Sequence, residues 1–354
     1  MEEAQAWLAA APFLAPQNRG GVKSTSQRTN NSEGRHLVAS CKLPAGYSVY
    51  SGTAHAAAIY DEYTERVCAH CLKIARNGET YPFKCRSCNL VYYCSEDCQR
   101  GDRQRHNELT CPALQKLAPI LESGYDIVKA RLILQILAQL YDDDEPSLRT
   151  EIAELHVHEP MEKMGLHSAA SDAFCDGLRS AIAACEWSKS VPSSALTNAE
   201  FLKWASIIDT NGFDCKTKET DGNSIGIGIY LNGATLFNHS CDPNCKVYHS
   251  MPELYITTTR PVAKGEALTF AYIDVKQDRI TRRDRLLESY SFECRCPRCV
   301  KEEEVALEWE RLAQVGPWLV AVGAALVTTV AFGMYPVVAT AYLFDRLSPW
   351  FVYE

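Results

Sequence analysis

Positive charge is scarce in this chain, and the scarcity bears first on nucleic acid as a partner. Against 44 Asp and Glu there are 36 Lys and Arg, a net charge of −8 over 354 residues. No direct nucleic-acid footprint is expected of the whole molecule, and only a local basic patch would serve. Basic residues are missing from the beginning too. "MEEAQAWLAAAPFLAPQ" opens with two glutamates where a secretory signal carries positive charge, which predicts that no signal peptide is present. Internal repeats and low-complexity tracts are also lacking. What remains is an ordinary globular composition, 46% hydrophobic and 23% charged, with length for more than one domain.

Cysteine, by contrast, is abundant. Sixteen cysteines in a chain without a secretory signal point to metal thiolates rather than disulfides. Eleven fall into short-spaced groups: Cys68/Cys71, Cys85/Cys88, Cys94/Cys98 and Cys111, then Cys241 with Cys294, Cys296 and Cys299. Cys41, Cys175, Cys185, Cys215 and Cys245 are left over and are read as small buried apolar residues.

The hydrophobic pattern divides the chain. Residues 34–60 alternate around a Pro-Ala-Gly turn, as short strands do. From 112 to about 210 the pattern is helical: a buried stretch over 126–141, a second helix marked by Phe174, Leu178 and Ile182, and a third beginning at the capping box Thr197–Glu200 and stopped at Asn211–Gly212. His156, His158 and His167 lie in this region without a matching thiol or carboxylate pattern and are read as surface residues. Strand-like runs follow at 225–231, 254–260 and 267–272, then a charged helix near 278–290. Between Leu312 and Phe344 no residue is charged, long enough to cross a bilayer, although Gly316–Pro317, Gly333 and Pro336 would disturb a helix there.

Residues 68–111 hold the dense block, with His106 and Cys111 closing it. A two-residue gap lets paired thiolates grip one tetrahedral zinc, and eight ligands imply two ions. The motifs "CAHC", "CRSC", "YYCSEDC" and "HNELTC" resemble the MYND zinc finger. The resemblance implies interleaved sites: Cys68, Cys71, Cys94 and Cys98 on one ion, and Cys85, Cys88, His106 and Cys111 on the other. Four residues separate His106 from Cys111 where three are usual, and the Cys71–Cys85 loop is long. Seven Lys/Arg and five Asp/Glu over this block leave the loaded module near neutral, which favours protein over DNA as its partner. MYND fingers typically engage proline-rich peptides, so such peptides are the implied partners.

"FNHSCDPNC" (237–245) offers a base, thiols and amides, but adjacent residues on an extended chain point to opposite faces, so no triad is self-contained there. Cys241 has no C-x2-C partner nearby and "CRCPRC" has three thiolates, so joining them completes a four-thiolate site. Here "GIGIYLNGATLFNHSCDPNC", "KGEALTFAY" and "YSFECRCPRC" resemble the SET domain with its post-SET cysteines, and the chain over 34–299 resembles the SET and MYND family of protein lysine methyltransferases.

That resemblance implies an α+β chain: a SET β-clip fold, threaded near Asn238 through a loop of its own backbone, with an inserted MYND finger, a helical insert and a post-SET zinc site. Its segments would be an N-terminal extension (1–33), SET strands (34–67), the finger (68–111), the helical insert (112–210), the SET core (211–275), the post-SET region (276–299) and a tail (300–354). It implies S-adenosylmethionine as methyl donor, three Zn2+, and a lysine of a histone or non-histone protein as acceptor. Tyr272 and Tyr290 would be the catalytic residues, and Gly34, Arg35, Asn211, Asn238, His239 and Phe292 would bind the cofactor. Asn244 is read as a turn residue. The family's Gly-x-Gly loop is Gly34-Arg35-His36 here, and if the missing glycine supplied a positive φ or a close approach, His36 would weaken cofactor binding. That residue motivates a competing class, a non-catalytic adaptor. A cytoplasmic or nuclear location is expected, with a C-terminal membrane anchor as one reading of the apolar tail.

Overall fold

The computed structural model describes residues 21–30, 34–117, 120, 126–142, 146–155, 169–220 and 222–311. The histidines at 156, 158 and 167 and the apolar stretch from 312 to 344 lie outside them. Among the described residues no helix is long and apolar enough to cross a membrane.

Alternation of β-branched and small residues produces short strands: β1 (Gly21–Val22), β2 (Thr25–Asn30), β3 (Gly34–Ala39), β4 (Ser48–Thr53), β5 (Ala56–Ile59), β6 (Phe83–Lys84), β7 (Tyr92–Tyr93), β8 (Phe213–Lys216), β9 (Ser224–Ile229), β10 (Asn238–His239), β11 (Cys245–Ser250), β12 (Glu253–Thr258) and β13 (Thr269–Phe270). They form small sheets, β1-β4-β12-β11 and β5-β9-β8 the larger ones, with hairpins β2-β3 and β6-β7. β10 and β13 pair in parallel, Asn238 opposite Thr269 and His239 opposite Phe270. The Leu268 amide donates to Leu37 O at 2.9 Å, so β3, the 267–270 segment and β10 lie side by side.

The helices are α1 (Glu96–Gly101), α2 (Cys111–Leu114), α3 (Ile127–Asp142), α4 (Pro146–Ala153), α5 (Ala169–Ala183), α6 (Asn198–Asn211), α7 (Arg279–Tyr290) and α8 (297–311). α3 carries buried residues on several sides, Leu132, Ile133, Leu134, Ile136 and Leu137 among them, and packs with Phe174, Leu178 and Ile182 of α5 and Phe201 of α6. The Thr197 hydroxyl accepts the Glu200 amide at 3.3 Å, the expected N-cap of α6. At its other end Gly212 has extended backbone, so positive φ is not what requires glycine there. A Cβ would lie 2.6 Å from Ile208 O and 2.8 Å from Ile227 Cγ2, so close packing excludes a side chain.

A second core joins the sheets: Leu37 and Ala39 of β3, Tyr50, Tyr230, Phe237, Leu254, Ile256, Leu268 and Phe270, with Phe213 and Tyr272 packed on it. This core backs the site. Of the five leftover cysteines, Cys175, Cys185, Cys215 and Cys245 are buried as expected, but Cys41 is exposed. It follows β3 on the way to the Pro44–Gly46 turn, where the apolar neighbours Val38, Ala39 and Leu43 point inward instead.

Candidate functional site

Three groups of four ligand atoms converge: Cys68, Cys71, Cys94 and Cys98; Cys85, Cys88, His106 and Cys111; and Cys241, Cys294, Cys296 and Cys299. Sulfurs bound tetrahedrally at ~2.3 Å to zinc stand about 3.8 Å apart, whereas a disulfide brings them to about 2.0 Å. Here Cys71 and Cys94 are 3.7 Å apart, Cys85 and Cys111 3.8 Å, Cys241 and Cys294 3.9 Å, and Cys241 and Cys299 3.5 Å. Every cysteine is a free thiol. Proton affinity agrees with a cation site. A hydrogen bond from Cys71 holds Cys68 down to about 5, while burial pushes Cys98 up to about 11 and Cys88 up to about 12. A metal ion binding such a cluster displaces the thiol protons. Burial keeps His106 neutral and able to ligate. The three sets fit zinc.

The unusual His106–Cys111 spacing has a structural answer. Residues Arg103–Thr110 form a π-helix, and the Cys111 amide donates to His106 O, an i to i+5 bond. The extra residue widens the turn and brings both side chains to one face, as single π turns do. The long loop after Cys71 places Leu72 and Ile74 against Ile225, Cys215 and Met251, fastening the finger to the β5-β9-β8 side of the molecule. Inside the finger the buried Asp102 carboxylate accepts from Tyr93 Oη at 3.1 Å and from Arg105 Nε at 2.8 Å.

The third cluster lies between β10 and the α7–α8 pair. α7 is capped by Asp278, whose carboxylate accepts the Thr281 amide at 3.0 Å. Arg282, Leu286 and Tyr290 share one face of it, and Arg282 is fully buried. Its Nε stands 3.2 Å from Cys241 Sγ and its Nη2 3.6 Å from Cys299 Sγ. Arg283 makes a two-pronged pair with Glu303, 2.9 Å on each prong. Arg298 Nη1 donates to Cys241 O at 3.0 Å and Val275 O at 2.8 Å.

From Cys241 a chain of contacts runs to the aromatic centre. The Tyr272 amide donates to His239 Nδ1 at 3.0 Å, so in the neutral ring the proton sits on Nε2, which faces Cys241 Sγ at 3.3 Å. Burial pushes His239 down to about 4 and keeps it neutral. Tyr272 Oη donates to Phe237 O at 2.7 Å. The Tyr290 ring packs 4.9 Å from that of Tyr272, and Phe292 lies 6.5 Å from Tyr272, edge to face, and 6.1 Å from His239. Burial raises the Tyr272 phenol well above its usual range, with Tyr290 adding to it, so it stays protonated.

The remaining candidate residues lie on several elements. Asn238 begins β10 beside Thr269. Asn211, buried at the end of α6, turns its amide to Ile207 O at 2.8 Å, two residues before Phe213, whose ring lies 5.8 Å from that of Phe270. Gly34 has φ +64°, with nothing among the described residues within 4 Å of a would-be Cβ. Arg35 pairs with Glu154 at 3.0 Å. His36 lies in β3 opposite Arg28, without positive φ, and its Nδ1 is 3.2 Å from Gly34 O. The backbone strain expected for a side chain there does not arise.

Two residues escaped the sequence reading. Arg282 sits in a charged run whose only hint was its i, i+4 alignment with Leu286. Asn244, in the bend before β11, is also a buried bracket: its Nδ2 donates to Ala267 O at 2.7 Å and Glu266 Oε1 at 3.1 Å, and its Oδ1 accepts the Thr269 amide at 2.9 Å. It thereby fixes the segment that pairs with β10.

Comparison with known proteins agrees with this geometry. The family model described as "SET domain" matches residues 34–273. The chain is 29% identical to the mouse (Mus musculus) protein "Histone-lysine N-methyltransferase SMYD3", over 68% of this chain and 53% of the relative. It is 26% identical to the fission yeast (Schizosaccharomyces pombe) "SET domain and MYND-type zinc finger protein 6", over 75% and 50%. Against the zebrafish (Danio rerio) "N-lysine methyltransferase SMYD2-A" it is 25% identical over 84% and 65%. The chain thus spans about half the length of the first two relatives.

Proposed function

Because this chain belongs to the SET domain family, in its SET and MYND branch, we propose that it is a protein lysine methyltransferase using S-adenosylmethionine. The observation that carries the reading is the Tyr272 centre: a phenol whose proton is committed to Phe237 O, beside Tyr290 and Phe292 and tied through its amide to His239. With that proton engaged, the Tyr272 oxygen has lone pairs free to accept from a substrate amine, which turns the nitrogen lone pair toward the methyl group. Bound S-adenosylmethionine supplies a methyl carbon on a positively charged sulfur. A neutral lysine nitrogen held by Tyr272 would take that methyl carbon as the carbon–sulfur bond gave its electrons to sulfur, with the product's extra proton lost to solvent. A protonated phenol is no base, so Tyr272 positions the amine rather than deprotonating it.

The residues proposed to hold the cofactor are Asn238, His239 and Phe292 on one side, with Asn211 and the Gly34–Arg35 backbone on the other. Gly34 supports this role through its positive φ of +64°, a backbone conformation that side chains rarely allow. The twelve clustered ligands are assigned to three zinc ions, structural because all their positions are filled by protein atoms. The finger is assigned to docking proline-rich peptides, which suit the half-buried rings of Tyr81 and Phe83 on its surface.

The test is labelled-methyl transfer to a protein extract, with cofactor binding followed by calorimetry. Tyr272→Phe is expected to keep cofactor binding and lower transfer by about 10²-fold, the scale for losing one positioned polar group. A wild-type chain that holds its zinc but binds no cofactor would point instead to the adaptor reading.

A further inference from the structure

We propose that Arg282 is the positioning residue of the third cysteine centre, a buried guanidinium that donates to two of its four thiolates and so keeps the centre charged and assembled. The inference rests on reading Cys241, Cys294, Cys296 and Cys299 as a zinc site, not on methyl transfer.

Four thiolates around one divalent ion carry a net charge of about −2, and such charge away from water needs a compensating cation. The finger clusters meet the problem differently. One replaces a thiolate with neutral His106, and in the other Cys94 and Cys98 are partly exposed. The third is all thiolate, with Cys241, Cys294 and Cys299 buried. Arg282 is itself 0% exposed and sends Nε to Cys241 and Nη2 to Cys299, while Nη1 donates to Gln277 O at 2.6 Å. Its only carboxylate among the described residues, Glu302, is 2.5 Å from Nη2 and is shared with Arg298, whose Nε lies 2.7 Å from the other oxygen. The positive charge is therefore divided between the sulfurs and one carboxylate. A planar fork reaches two sulfurs at once, as a lysine ammonium on its flexible stem does not.

The position matters because Cys241 also faces His239 Nε2, and His239 accepts the Tyr272 amide. Loosening Cys241 therefore reaches the active-site tyrosine in two contacts.

The experiment uses the full chain and counts zinc by mass spectrometry while a chelating dye records its release. Wild type is expected to hold three ions, and Cys296→Ser identifies the release phase of the third centre. Arg282→Met should speed that phase by at least about 10-fold, the scale for losing an outer partner of a metal ligand, while leaving the two finger phases unchanged. Arg282→Lys, which keeps the charge and is the variant to read if Arg282→Met does not fold, should fall between. In the cobalt(II)-loaded protein, the thiolate charge-transfer band should move to lower energy in Arg282→Lys as an N–H···S bond is lost. Glu302→Gln should release zinc as wild type does, separating the sulfur contacts from the ion pair. Wild-type release kinetics and an unmoved band in both Arg282 variants would overturn the proposal. A wild-type chain holding only two zinc ions would overturn the zinc reading of the cluster beneath it, and with it the proposal, whatever its methyl-transfer activity.

Discussion

Asn244 concentrates several contacts in one amide. Its side-chain bonds reach Glu266, Ala267, Thr269 and the Cys245 thiol, and its own carbonyl accepts the Thr259 amide at 2.8 Å. Asn244→Ala leaves the Thr269 amide and Ala267 carbonyl without their partner, and unsatisfied buried groups cost about 1–3 kcal/mol each. A loss of about 3 kcal/mol in urea-unfolding free energy is expected, and a loss below about 0.5 kcal/mol would show that water replaces the bracket. In sequence Asn244 looks like a turn residue after Asp-Pro, because only the folded chain brings residues 266–269 to it. Arg282 was illegible for the same reason: a charge reads as solvent-facing until its partners, here distant thiolates, are known. The three ligand clusters were legible because soft donors at short gaps have few other uses.

At the scale of elements, the π-helix of the finger gives the sharpest test. Each α-helical residue turns the chain by about 100°, so spacing decides whether His106 and Cys111 share a face. An alanine inserted after Asn107 lengthens i, i+5 to i, i+6 and should cost one zinc ion per chain. Removing Asn107 restores i, i+4, which an ordinary α-helix also brings to one face, and should leave the zinc count unchanged. Loss of an ion on deletion would mean the widened turn is itself required. The longer helices and strands were readable from period alone, α3 and β12 among them. β10 and β13 were not, since each has two residues and exists only through its partner. The run at 267–272 accordingly looked like one longer strand.

Over the whole molecule, acid should act through groups that burial and pairing hold away from their usual protonation. His249 on β11 is the clearest. Burial, with Lys216 adding to it and Asp214 opposing, pushes it down from 6.5 to about 4, and its Nδ1 is buried with no hydrogen-bond partner among the described residues. The folded chain keeps it neutral while the unfolded chain protonates it, so the unfolded state binds more protons between pH 6.5 and about 4. The stability it allows is complete above pH 6.5 and falls as pH drops toward 4, by about 2 kcal/mol at pH 5. Asp102 acts in the same direction at lower pH. Burial pushes it up, but His70 and Arg105 outweigh that and hold it below the usual carboxylate range, so its contribution fades once it protonates. Thiolate protonation and metal loss also weaken the finger in acid, so wild type alone cannot separate the causes. His249→Leu can, because His249 is none of the twelve clustered ligand residues and the substitution removes only its own titration. Urea-unfolding free energies should show the variant gaining on wild type by about 2 kcal/mol between pH 7.5 and 5. A constant difference across that range would assign the acid sensitivity to the metal centres instead.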